Sequence, residues 1–309
     1  MHRLLVFAAV LAAPVVRTTR AQSPTAQLPT VLDWQTAAGG KMSFEVASVK
    51  RGAFVPPTFP LDVGDAFTPT GGRFVANFPL LQLIMFAYKF GPPPEQRERW
   101  AGQIPDWASS SAERWTIEAK APINNPTKDQ FRLMMQSLLA ERFQVAVHFE
   151  TRQGPMLALT LINPGKLGRK LRAHAEGPPC DASAASPAGG TEVFPPRCGG
   201  YSRRRAPDGM QMQTGSRNVT MAYFAQVLAG TGAAALPVVD RTGLTGTFDF
   251  VIEHAPDGPL AAIIGARQGD PQGPTFLDAM HEQLGLKLEP TNGAFQILVI
   301  DRLEKPTEN

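Results

Sequence analysis

The sequence predicts a mixed α+β fold made of two tandem, pseudo-symmetric β-α-β-α-β-β repeats with antiparallel hairpins. Apolar helical stripes alternate with short period-two strands, and the same order of signals occurs in residues 73–162 and again in 212–301. The 29 prolines and 28 glycines among 309 residues disfavour long bundles or coiled coils. With 43% hydrophobic against 18% charged residues, the chain can bury a core, which excludes disorder as its main state.

Residues 1–21 read as a signal peptide: Arg3, an apolar run Leu4 to Ala13, and a cleavage site after Thr19-Arg20-Ala21. The run is too short to span a bilayer, so stable membrane insertion after cleavage is not expected. Removing the three arginines of this segment from the 30 Lys and Arg leaves 27, equal to the 27 Asp and Glu. A neutral mature chain gives no argument for nucleic acid. Residues 22–40 are read as a flexible leader, and the protein is expected to be secreted or periplasmic.

The first repeat, 41–162, opens with an added strand, Phe44 to Lys50. After a strand ending at Asn77, Pro79 to Phe90 forms a buried helix, with little polar face among Leu80, Leu81, Leu83, Ile84, Met85 and Phe86. A loop carries Pro105-Asp106-Trp107, and a strand spans Trp115 to Ala119. Thr127 with Gln130 forms a capping box before Phe131, Met134, Met135, Leu138 and Leu139 at helical spacing. The arms Val145, Val147, Phe149 and Leu157, Leu159, Leu161 predict a hairpin around Arg152-Gln153-Gly154.

Residues 163–211 are rich in Gly, Pro, Ser and Ala and read as a surface insertion stapled by Cys180 and Cys198, the two cysteines of the chain. In an exported protein an even pair reads as a structural disulfide, which would stabilise its loop by about 3 kcal/mol. No CxxC occurs and no histidine adjoins either cysteine, so metal and redox roles are not expected.

The second repeat, 212–309, starts with Asn218 capping a helix that carries Met221, Phe224, Ala225 and Leu228. Pro237 to Arg241, the turn Thr242-Gly243-Leu244-Thr245-Gly246 and a strand Thr247 to Glu253 follow. Residues 255–274 are a loop. Thr275 with Asp278 starts a helix that Gly285 stops. A second hairpin, Leu286 to Glu289 and Phe295 to Ile300, turns at Asn292-Gly293, a type I′ signal. Asn77 and Asn218 are 141 positions apart, Gly154 and Gly293 139, so the two repeats keep a nearly constant offset.

The segments Phe44 to Lys50, Leu138-Leu139-Ala140-Glu141-Arg142-Phe143, Val239 to Gly246, Gln283 to Leu288 and the ending Val299-Ile300-Asp301 resemble a soil-associated bacterial family of exported proteins of uncharacterised function. The resemblance implies export and occasional fusion to membrane-bound sensor or peptidase regions, and brings no catalytic residues. Ala279 to Ile300 is also similar, over half a repeat, to the short N-terminal domains of secretins and TonB-dependent receptors, which implies protein contact in an envelope.

The histidines His2, His148, His174, His254 and His281 form no HExxH, and neither GxSxG nor a phosphate-binding glycine loop occurs. His148 and Glu150 share a strand face but lack a nucleophile. Asp240, Arg241 and Asp249 bring both charge signs to one turn-rich region, mirrored in the first repeat by Asp106 and Trp107. They either tie down turns or edge a groove for a peptide or sugar. The expected function is an exported, non-enzymatic binding or interaction protein of the cell envelope or extracellular space, with an envelope protein or polymer as partner and no cofactor. The alternative is an extracytoplasmic hydrolase acting on an envelope or environmental polymer.

Overall fold

The apolar stripes build two cores that one long strand pair joins. The computed structural model describes residues 31–52, 54–177, 179–180, 193–207, 209–256 and 273–306. Residues 1–21, read as a signal peptide, residues 22–30 of the expected leader, 181–192 of the expected insertion and 257–272 of the later loop lie outside the described residues.

The first part runs α1 (Val31–Ala37), β1 (Val46–Arg51), β2 (Arg73–Phe78), α2 (Leu80–Ala87), α3 (Pro94–Gln103), α4 (Asp106–Ser109), β3 (Trp115–Lys120), α5 (Lys128–Phe143) and β4 (Ala146–Leu161). The antiparallel sheet β1-β3-β2 packs with α2 and α5 over a phenylalanine cluster. Phe59, Phe74, Phe86 and Phe131 have ring centroids 5.2 to 6.1 Å apart. Each such pair adds about 0.5–1.5 kcal/mol beyond its buried area. The capping box of α5 is present: Gln130 N donates to Thr127 Oγ1 (3.1 Å) and Thr127 N donates to Gln130 Oε1 (2.9 Å).

The second part runs β5 (Leu171–Ala173), a single turn His174–Glu176, β6 (Gly200–Arg205), β7 (Met212–Val219), α6 (Met221–Gly230), β8 (Val238–Asp240), β9 (Phe248–His254), α7 (Phe276–Ala279) widening into a π-turn at Met280–Leu284, and β10 (Leu286–Arg302). Strands in the order β5-β9-β7-β6 make an antiparallel sheet whose inner face, with Phe224, Leu228, Leu284 and Leu286, forms the second core.

Four local expectations are corrected. Part of the leader is helical, because Val31 to Ala37 forms α1. The loop before Asp106 holds α3, whose Pro94 fits the first helical turn. The α6 cap is Thr220, whose hydroxyl accepts from Tyr223 N (3.1 Å), while Asn218 lies in β7 with left-handed φ 53°. The segment read as a surface insertion supplies β5 and β6, both outer strands of the four-stranded sheet.

The two predicted hairpins do not form. β4 and β10 are single strands, paired antiparallel from Leu286 opposite Leu161, through Gly293 opposite Gly154, to Ile300 opposite Val147. Neither glycine adopts the positive φ that a type I′ turn requires. Their missing side chains serve close approach instead: a Cβ on Gly154 would lie 3.3 Å from the Phe295 ring, and one on Gly293 3.1 Å from Met156 Sδ. Alternation alone does not distinguish an arm that turns back from one that runs on. Running on lets the same ladder serve both cores, since Phe149 and Leu298 belong to the first and Leu159 and Leu286 to the second.

The outer flanks of this ladder are covered differently. β8 adds in parallel beside Leu157 to Leu159, and Arg241 N donates to Leu159 O (2.9 Å). On the other flank, α3 side chains replace a strand: Gln96 Nε2 (2.8 Å) and Trp100 Nε1 (3.2 Å) both donate to Leu298 O. Covering an edge carbonyl in this way satisfies it and blocks edge-to-edge association.

Candidate functional site: a cleft beside the disulfide

The most elaborate polar arrangement among the described residues fixes the loop 62–66. Lys128 and Arg132, four apart on α5 and so on one face, are both buried, at 4% and 0% exposure. Lys128 Nζ donates to Asp62 Oδ1 (2.6 Å) and Gly64 O (2.6 Å), and Arg132 Nη2 donates to Asp62 O (3.0 Å) and Gly64 O (2.6 Å). Arg132 also pairs with Asp129 and reaches Asp65, which Lys89 holds at 2.8 Å. Burial pushes the Lys128 ammonium down to about 8 against the pull of Asp62, while Arg132 beside it adds like-charge repulsion. Burial raises the Asp65 carboxyl, but Lys89 and Arg132 outweigh it and hold the group below the usual carboxylate range.

This loop clasps the disulfide loop. Gly199 O accepts from Asp65 N (2.7 Å) and Ala66 N (2.8 Å), and Gly199 N donates to Arg217 O (2.7 Å). Gly199 has φ 75°, and a Cβ there would come within 2.9 Å of Ala66 N, so glycine is required on both counts. Next to it Cys198 is bonded to Cys180, S–S 2.10 Å, as the cysteine count predicts. Beside the clasp opens a cleft of about 590 Å³ lined by both cysteines with Asp65, Thr68, Arg197, Asn218 and Tyr223. Burial, with Asp62 and Asp65 nearby, raises the Tyr223 hydroxyl far above its ordinary value, so it stays protonated.

Asn218 of the cleft lining is held from β9 by Asp249, which is 2% exposed, lines a separate cleft with Arg172 (3.9 Å) and Arg217, and faces two distant segments. Its Oδ1 accepts from Asn218 N (2.9 Å) and lies 2.7 Å from His174 Nδ1. His174 Nε2 is in turn 3.4 Å from Cys180 Sγ, and Asn218 Nδ2 donates to the same sulfur (3.5 Å). Gly177 packs directly over the carboxylate: a Cβ there would lie 2.2 Å from Asp249 Oδ2. His174, Cys180 and Cys198 also have ligand atoms within 4.8 Å of one another, but the disulfide occupies both sulfurs, so the trio does not suit a metal in this state.

Of the residues singled out from sequence, Cys180 and Cys198 line this cleft, and Asp249 touches it through Asn218. Asp240 ends β8 of the β10-β4-β8 sheet, and Arg241 follows it. Asp240 Oδ1 accepts from Thr242 N (2.9 Å) and Oγ1 (2.8 Å), closing its own turn, and Arg241 is exposed. Asp106 opens α4 and is exposed, while Trp107 is half-buried on the first core with Lys305 Nζ 5.7 Å from its ring centroid. Sequence reasoning missed His174, although it precedes Cys180 by six residues; its link through Asp249 to Asn218 is non-local and leaves no spacing signal. His148, half-exposed, bonds Asp301 on the partner strand β10 (2.8 Å) and Glu150 on its own strand (3.3 Å).

An α+β chain with a disulfide-bonded cleft is the class these features define, and no helix among the described residues is long and apolar enough to cross a membrane. The chain belongs to the protein family of unknown function DUF3738, whose family model matches residues 81–303. No curated protein and no solved structure matches it.

Proposed function

We propose that this protein is an exported binding protein that holds a polar polymer of the cell envelope in the cleft beside Cys180–Cys198. One observation carries the reading: two fully or nearly buried cations, Arg132 and Lys128, are spent on the shape of a surface loop. Burying charge costs several kcal/mol per ion before pairing, about as much as a whole core side chain contributes. Here that cost secures the cleft's rim at Asp65 and its clasp to Gly199. Thr68 and Arg197 are exposed at the cleft and offer a hydroxyl and a cation to a ligand.

The ladder supports a second element of the reading, two tandem copies related by a pseudo-twofold axis through Gly154 and Gly293, each giving one strand to the other. Leu159 O and Leu298 O, 139 positions apart like the two glycines, both receive an external donor. Export fits the disulfide and the signal-like N-terminus.

The test is calorimetric titration of the chain lacking residues 1–21 with soluble peptidoglycan fragments and acidic polysaccharides. Saturable binding is expected, weakened about tenfold, or 1.4 kcal/mol, in Thr68→Ala/Arg197→Ala at unchanged melting temperature. Binding that ignores this variant, or no binding across the panel, overturns the reading.

A further inference from the structure

The Cys180–Cys198 bond is surrounded more elaborately than a staple needs. Both cysteines line the open cleft. Among the described residues, two side-chain nitrogens approach one sulfur of the pair: His174 Nε2 and Asn218 Nδ2 lie 3.4 and 3.5 Å from Cys180 Sγ. Both are set by the same buried carboxylate oxygen. Asp249 Oδ1 fixes the His174 ring through Nδ1, and it holds the Asn218 amide in the left-handed conformation, φ 53°, from which the side chain reaches the sulfur. A non-glycine residue in that region carries a cost that a tightly determined site sustains. Asp249–His174–Cys180 therefore has the connectivity of a carboxylate that orients an imidazole, which in turn faces a sulfur.

We propose that Cys180–Cys198 is a thiol–disulfide exchange centre open to cysteine-containing peptides, with Cys180 as the sulfur that departs and returns as thiolate, His174 as its proton partner and Asp249 as the positioning residue. In the forward step a peptide thiol gives its proton to His174 Nε2 and attacks Cys198 Sγ as thiolate. The Cys180–Cys198 bond breaks, a peptide–Cys198 bond forms, and the departing Cys180 sulfur takes that proton back from His174 Nε2. A second peptide thiol attacks the mixed disulfide, releasing Cys198 as a thiol. Two peptide thiols are thereby oxidised to one peptide disulfide while the protein disulfide is reduced to two thiols. An external disulfide compound reoxidises the protein by the reverse steps. Nucleophilic attack by Cys180 then begins with proton transfer to His174, and the Asn218 amide stabilises the thiolate.

The centre stands on residues other than Thr68 and Arg197, so it does not depend on polymer binding. The test uses the full mature chain, reduced with a phosphine, and follows iodoacetamide alkylation of each cysteine against pH by mass spectrometry. Cys180 is expected to titrate well below the ordinary thiol value of about 8.5, with Cys198 near it. His174→Gln is expected to return Cys180 to the ordinary value and to slow formation of the peptide–Cys198 mixed disulfide, measured with a synthetic cysteine peptide, at least about tenfold. If His174→Gln does not fold, the wild-type comparison decides: one shifted thiol supports the centre and two ordinary thiols overturn it. Unchanged alkylation and exchange in a folded His174→Gln also overturn it.

Discussion

Asp240 and Asp249 stand nine positions apart, and each accepts a backbone N–H, yet they do different things. Asp240 serves its own chain neighbourhood: its oxygen takes the amide and hydroxyl of Thr242, two residues on. Asp249 serves no neighbour. Its oxygen joins the segment at His174 to the one at Asn218, and both lead to the Cys180 sulfur. A turn aspartate that closes its own turn is a local device that sequence spacing reveals. A buried aspartate that ties distant segments to a reactive group marks a place where the fold positions chemistry.

Removing Asp249 should therefore have the largest effect. Asp249→Ala strands the Asn218 amide and the His174 ring nitrogen, and urea unfolding should show a loss of about 2–3 kcal/mol. Loss of less than half of that would mean water replaces the carboxylate freely and the node is not rigid. Gly177→Ala tests the same node from outside. Its added Cβ would meet Asp249 Oδ2 at 2.2 Å, so either the carboxylate or the turn must move, at about 1–3 kcal/mol. A neutral result would show that the segment over Asp249 is free to shift.

For the local device the expected cost is smaller. Asp240→Ala should lose about 1 kcal/mol, and Arg241→Ala, an exposed side chain whose backbone alone is used, should stay within about 0.5 kcal/mol. An Arg241→Ala effect rivalling Asp249→Ala would reverse the comparison.

The smallest effect concerns pH at His148. Asp301 first, then Glu150, raise this imidazole above its ordinary 6.5. Because the folded value is the higher one, the stabilisation is fully present below the unfolded value and is lost as pH rises through the folded one. NMR titration should place His148 above 6.5 and show Asp301→Asn bringing it down; no change in that variant would rule out the ion pair in solution.

How far the sequence carried follows from the range of each interaction. The capping box at Thr127 and Gln130, the apolar stripe of α2 and the β3 strand are written in consecutive residues, and all were legible. The cysteine pair was legible because two cysteines leave one intramolecular pairing. Helix α3 was not, since Pro94 to Gln103 is almost wholly polar and buries Trp100 and Gln96 through tertiary contacts. The absence of hairpins is not legible either, because Gly154 and Gly293 fit a turn and a close strand pairing equally well, and only the partner strand decides between them. Sequence proximity joins Asp249 to Asp240, whereas its partners in the structure lie 75 and 31 positions away.

The most direct test of the difference between the two aspartates is the rate at which dithiothreitol reduces Cys180–Cys198 in Asp249→Asn and in Asp240→Asn. If Asp249 orients His174 to protonate the departing sulfur, Asp249→Asn slows reduction about tenfold while Asp240→Asn leaves it unchanged. Faster reduction in Asp249→Asn, or equal rates in the two variants, would mean that the carboxylate only holds the loop closed, and would contradict the account.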